Sequence, residues 1–463
     1  MASASKGRER MKKKYPAVII LLWIFLLSGC FSSHQTIRDI RELSQDHAFY
    51  LGRLAPDVLR IDPAEQERMN RHYNTLFFSP WHREMPACSL EDVAVEFRKY
   101  SQNRGYGENG RKHSRQWIKK LTEIARLDAY PDKGYPAITV RPSALRALPT
   151  QRPHFSAFKR GGRGYPFDNF QVSAVTVNTP VFISHVTRDK AWLFAETGYY
   201  FGWIPAGDVA LVDDAFMKSW ESGRYAVVIR DKTPLYDARG HFLFPAPLGA
   251  IFPKVRDDEG GLDILTAVTD ENRRAALKTV AVSRSAAASK PLGMTVENMA
   301  GIANELVNEP YGWGGLHGNR DCSAMVRDLF APFGIWLPRN SAQQAQQGGS
   351  FVDLSDLSAE EKERVILARG IPYLTLLWRR GHIMLYIGPY QGEPLVFHNM
   401  WGVSTRDVLG RRGKRIVGHA AITTLHPGRE LFGYDAASAD HAKNIIGMTL
   451  LVRPSGLAGM PGS

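Results

Sequence analysis

Hydrophobic and polar positions change their rhythm along this chain, and each change marks a different kind of element. Residues 34–135 carry apolar residues at helical spacing, as in "SLEDVAVEFRKYSQ" and "SRQWIKKLTEIARL", so helices are predicted there. An aromatic turn, "LFFSPWH", interrupts them. From 136 to 215 the pattern becomes short β-like runs, "PAITVRP", "SAVTVNTPVFISHV", "KAWLFAET" and "GYYFGWIP". Residues 222–285 repeat that texture with "YAVVIRDKTPLYD" and "LGAIFPKV". Short strands broken by Gly, Pro and Asp turns predict two small β-barrels. "SRSAAASKPLG", Ser283–Gly293, reads as a linker into a last domain of mixed helix and strand, residues 292–463. A chain of 463 residues is too long for one core, which agrees with this division.

The N-terminus follows a different rule. "AVIILLWIFLL", Ala17–Leu27, is uninterrupted and apolar, but shorter than the roughly 20 residues that span a bilayer. A lysine-rich stretch precedes it and "LSGC" follows, so residues 1–29 read as a secretory signal. "LSGC" resembles a bacterial lipobox, which implies that Cys30 carries lipid and anchors the mature chain to a membrane. Phe31 and Ser32 supply no aspartate retention signal, which points to the periplasmic face of the outer membrane. The formal charge of +13 favours an anionic partner: nucleic acid, a membrane surface or cell wall. Export sets nucleic acid aside and leaves the wall.

With Cys30 assigned to lipid, two cysteines remain. Cys88, in "MPACSL", reads as a quiet structural thiol. Cys322 has other neighbours. Asp321 before it is a good helix cap, and Met325, Val326, Leu329 and Phe330 continue an apolar helical stripe from it. The thiol therefore starts a helix, where the dipole and unpaired N–H groups favour thiolate and could hold an oxyanion. The preceding "YGWGG" supplies bends and close backbone approach. Taken alone, a buried cysteine at the start of a core helix fits as well. Downstream, "GHIMLYIG" and "LVFHNMWG" read as strands that carry His382 and His398. A thiol, a histidine base and a second polar group that orients it make a nucleophilic set. No cofactor site and no metal site are read: "GGRGYP" lacks the strand–helix setting of a phosphate cradle, and His317 with Cys322 has no four-ligand spacing. "GRRGKR", Gly410–Arg415, looks like a solvated hairpin turn, and "ADHAKNIIGMTLLV" like a final helix and strand.

"YGWGG", "DCSAMV", "GHIMLYIG" and "FHNMWG", in this order, resemble the NlpC-type family of papain-like bacterial cysteine peptidases, in the lipoprotein branch with two bacterial SH3-like domains. The resemblance implies an α+β multidomain chain: a helical N-terminal module (30–135), SH3-like β-barrels (136–215 and 222–285) and a papain-like catalytic domain (292–463). It implies hydrolysis of peptidoglycan stem peptides at γ-D-glutamyl–diamino acid bonds, with diaminopimelate or lysine as the diamino acid. Cys322 matches the nucleophile, His382 the base and His398 the orienter. Tyr311, Asp321 and Ser323 match positions that line the substrate pocket, and Arg339 and Ser341 are further pocket candidates. In such proteins the first barrel helps select stems or muropeptides with a free N-terminal L-alanine, which makes Glu196, Tyr199 and Tyr200 candidates for that wall. Ala324 and Met384 stand where glycine is commoner, and "YLTLLWRRGH" replaces the usual "P-G-D-L" turn before the histidine strand. A non-catalytic wall-binding lipoprotein and an N-acetylmuramoyl-L-alanine amidase are the alternative readings.

Overall fold

The computed structural model describes residues 36–452 except 56, 57, 60, 159–162 and 260, and everything below belongs to the unit that begins at Arg38. The expected signal (1–29) and Cys30 lie outside the described residues. Among the described residues no helix is long and apolar enough to cross a membrane.

The N-terminal module is helical because its caps and apolar spacing agree. Asp62 caps Pro63–Phe78, with proline at the helix start where its missing N–H is harmless. Ser89 and Asp92 form a capping box on Leu90–Gln102, whose Val93, Phe97 and Tyr100 are buried. The aromatic turn Ser79–His82 joins this module to the first barrel: Trp81 is buried and its Nε1 donates to the Ala137 carbonyl at 2.7 Å. Cys88 is a free buried thiol, pushed up by its burial.

The first barrel is an antiparallel seven-stranded sheet. In spatial order its strands are 171–175, 143–146, 201–205, 192–196, 180–186, 135–139 and 209–211. The second is a five-stranded sheet in the order 275–282, 261–269, 251–258, 225–228 and 287–290, beside the hairpin of 233–236 and 242–246. Its last strand, Ala287–Lys290, falls inside the stretch expected to be linker. Small residues let it pair with Tyr225–Val228, and the buried Lys290 ammonium is held by Asn70 Oδ1 at 2.6 Å and Asn74 Oδ1 at 3.1 Å.

The C-terminal domain sets a six-stranded antiparallel sheet against the helix that begins at Cys322. The sheet order is 350–353, 445–450, 375–379, 382–390, 393–406 and 412–424. Met325, Val326, Leu329 and Phe330 of the helix share a core with Ile383, Leu385, Phe397 and Ile422 of the sheet. That packing lays the start of the helix beside the start of the strand His382–Tyr390.

Candidate active site

The loop ahead of Cys322 is shaped by its glycines. Gly314 and Gly315 have φ of 59° and 81°, a left-handed backbone that glycine adopts without strain. A Cβ on Gly315 would stand 2.3 Å from Ala174 Cβ in the first barrel, so the loop lies directly on that strand. Gln171 Nε2 fixes the contact by donating to the Gly314 carbonyl at 3.0 Å. Asp321 then starts the helix by accepting from Ala324 N at 2.8 Å.

Cys322 is 7% exposed. Burial, reinforced by the Asp321 carboxylate, pushes its thiol up to about 12. Backbone hydrogen bonds from Ile383 and Ser323, and the charge of Arg339, pull the other way and are outweighed. Burial is thus the leading influence, and it favours the thiol over the thiolate that the position at the helix start favours. His382 is held well below the usual imidazole range, first by burial and then by His398, Arg379 and Lys414. The contact with Ile383 places the sulfur at the residue next to His382.

A directed chain of hydrogen bonds sets the imidazole tautomers. The Thr423 hydroxyl donates to the Thr424 carbonyl at 2.8 Å. Its oxygen thus accepts from His398 Nε2 at 2.9 Å, which leaves His398 Nδ1 as an acceptor. His382 Nε2 donates to that Nδ1 at 2.8 Å. The remaining nitrogen, His382 Nδ1, carries the lone pair of a base.

A further imidazole joins this centre. His441 stacks on His382 at 5.5 Å and 21°, and meets His398 edge-on at 5.3 Å. Nitrogens of the three rings lie within 4.8 Å of one another, a spacing open to a metal ion. The donor set argues against one. Arg379 Nη1 donates to His441 Nδ1 at 3.2 Å, whereas a histidine bound through Nε2 must carry its proton on Nδ1. Arg379 and Lys414 also place positive charge beside His382.

Comparison with known proteins identifies the domains that surround this centre. Residues 308–411 match the NlpC/P60 family, 19–130 its N-terminal stabilising domain, 153–205 an SH3 domain of SH3b1 type and 213–259 one of SH3b2 type. The C-terminal domain is an NlpC/P60 domain. An NlpC/P60 endopeptidase from Photobacterium damselae subsp. piscicida is similar at 27% identity and TM-score 0.79, over 91% of this chain and 99% of that one. An NlpC/P60 family protein from Bacillus cereus is 15% identical with TM-score 0.40, over 61% of this chain and 83% of that one. A search of curated proteins found no match.

The other expected NlpC/P60 site residues divide into those at the centre and those away from it. Tyr311 is at the centre, since its hydroxyl is raised by burial and then by the Cys322 thiol and Asp321. Asp321 and Ser323 are occupied from within. Asp321 Oδ1 accepts from Ala324 N, Ser323 Oγ and Arg339 Nη1, and Oδ2 from Arg339 Nη2 at 2.7 Å and Gly314 N at 3.1 Å. Burial alone would raise this carboxyl, but the Arg339 guanidinium outweighs it. Both residues thus organise the site and are not open ligands. Arg339 reaches across to the first barrel, where its Nε donates to Ser173 Oγ at 2.7 Å. Ser341 begins the next helix, half-buried, behind its cap Asn340.

The expected wall residues of the first barrel need correction. Glu196 faces the helical module, where it accepts from Arg83 Nη1 at 3.0 Å and Ala87 N at 2.8 Å. Tyr199 is half-buried beneath the Arg327 guanidinium, 4.5 Å from its ring centre. Only Tyr200 approaches the catalytic loop, lining a groove of about 330 Å³ with Trp313. The aromatic that the barrel does deliver is Phe167. Its ring lies 6.2 Å from Tyr311, 5.3 Å from Trp313 and 6.0 Å from Trp401. Asp168 anchors it by accepting from Arg146, His154 N and Phe170 N. Its signal in the sequence was the "GGRGYPFDNF" loop, which carries turn residues directly before an aromatic.

Proposed function

We propose that this chain is a peptidoglycan stem-peptide hydrolase that cuts γ-D-glutamyl–diamino acid bonds with a Cys322–His382–His398 triad. The observation that carries this reading is the directed chain from Thr424 through Thr423 and His398 to His382, with the Cys322 sulfur against Ile383. It leaves one base lone pair on His382, the residue before the one whose backbone N–H meets the buried thiol.

The neutral resting pair gives the order of events. Cys322 Sγ attacks the scissile carbonyl carbon as its proton passes to His382 Nδ1. N–H groups at the helix start hold the oxyanion. The tetrahedral intermediate collapses, the C–N bond breaks, and His382 returns the proton to the leaving amine. Water then attacks the thioester with His382 as base, releasing the γ-glutamyl carboxylate and the thiol. His398 keeps Nε2–H of His382 in place throughout.

Cys30 as a lipid anchor and the periplasmic face of the outer membrane as the location belong to the same proposal, supported by "LSGC" behind its apolar run. Mass spectrometry of digests of defined stem peptides, free and sugar-linked, tests the reaction. L-Ala-γ-D-Glu as product, absent with Cys322→Ala, is expected. Release of the whole stem from sugar would replace the peptidase reading with an amidase.

A further inference from the structure

The "WRRGH" turn, which stands in place of the "P-G-D-L" turn that the family resemblance implies, is part of a cationic recess behind His382 and His441. Arg379 ends one strand and His382 begins the next, joined by Arg380 and Gly381, with φ of 75° at the glycine. Arg379 and Arg380 line a cavity of about 370 Å³ together with Lys362, Lys443, Ser355 and Asn444. Among the described residues no acidic side chain lines it.

Lys362 is the decisive residue. It is 4% exposed, and its ammonium donates only to the carbonyls of Ile445 at 2.7 Å and Lys443 at 3.3 Å. Asp353 and Asp440 act on the recess through their fields, on Lys362 and on Arg379 and Lys443 respectively. Asp440 is already engaged by His426, at 3.1 Å. Among the described residues none of the four cations forms an ion pair with a carboxylate. A buried ammonium is costly unless an anion compensates it. Lys362 has a donor to spare, and Arg379 spends Nη1 on His441 and Nη2 on Ser438, leaving Nε.

We propose that this recess is a binding site for a phosphate-type oxyanion, either free or as a lipid headgroup. Two guanidiniums and two ammoniums converging without an acid suit a tetrahedral, multiply acceptor-bearing group. Arg379 connects the recess to the centre through His441, which stacks on His382. Occupancy therefore acts on the hairpin that presents the base. The site does not depend on the hydrolase reading, since its occupancy is measured without turnover.

The test titrates the full chain with inorganic phosphate at constant ionic strength, by calorimetry. Saturable binding is expected, weakened at least tenfold in Arg380→Ala/Lys443→Ala. Both side chains are exposed, and an unchanged unfolding midpoint in chloride shows that the variant is folded. A second arm compares phosphatidylcholine vesicles with and without phosphatidylglycerol. Binding to phosphatidylglycerol that the double variant loses, without binding of inorganic phosphate, assigns the headgroup. Binding of both assigns the phosphate group itself. No saturable binding in either arm, or equal binding by the variant (an adventitious ion only), overturns the proposal.

Discussion

At the residue scale, burial is the leading influence on both Cys322 and His382. Both shifts favour the neutral forms, Cys322 up and His382 down. A base with a lowered pKa stays unprotonated into acid, so activity should persist well below the ordinary imidazole range of about 6.5. Arg379 is one of the charges that lowers His382. Arg379→Met should therefore move the acid limb of the kcat/KM profile to higher pH. An unmoved limb with a lower plateau would mean that Arg379 only packs.

What the sequence shows at this scale is what is local to an element. Cys322 announces itself through a cap and an apolar stripe, and His382 and His398 through their strands. Thr423 and His441 are silent because each reaches the centre through a contact that only the tertiary fold makes, and the turn residues before Phe167 mark its loop but not where its ring lands. Asp321 and Arg339 were legible as site residues, but their mutual pairing was not. Nothing in "DCSAMV" states that "LPRNSAQQ" folds back onto it.

At the scale of elements, two supports position the site. The first is the loop at Gly315, whose φ and proximity to Ala174 exclude a side chain. Gly315→Ala should lower stability by about 2 kcal/mol, read as a lower urea midpoint, and depress turnover more than a surface substitution of equal cost. The second ties helix Ala359–Arg369 to the short helix His441–Asn444. His426 Nε2 meets Glu363 at 2.7 Å and its Nδ1 meets Asp440, the cap of the short helix, at 3.1 Å. Hydrogen bonds to Asp440 and Glu363 raise His426 to about 10. The folded value lies above the unfolded one, so this stabilisation is complete below about 6.5 and is lost as pH rises through about 10. The unfolding midpoint should fall over that window, and His426→Gln should flatten the fall. The barrel strands were readable from their turn residues, whereas Ala287–Lys290 was not, since its small residues carry no strand pattern without their partner.

At the scale of the whole molecule, each barrel is tied to the residues around Cys322 through a buried arginine. Arg339 reaches Ser173 in the first. Arg320 is 3% exposed and forms a bidentate pair with Asp231 beside the second, at 2.7 and 3.0 Å, with Glu309 and Asp328 also on its guanidinium. Asp231→Ala leaves that buried cation short of one partner. It should destabilise by roughly 2 kcal/mol, less than a lone buried pair would, and open the boundary between second barrel and catalytic domain to limited proteolysis. An unchanged cleavage pattern would show that apolar packing alone holds the domains together. Domain order was legible because each domain has its own hydrophobic rhythm. The clamps were not, because they join residues far apart in the chain.

The measurement that bears most directly on the central claim is intact-mass spectrometry of rapidly quenched reactions with a defined stem peptide. The account expects an acyl adduct that forms and decays during turnover, maps to the peptide holding Cys322, and vanishes in Cys322→Ala. Product appearing at full rate with no adduct, or undiminished in Cys322→Ala, would contradict it.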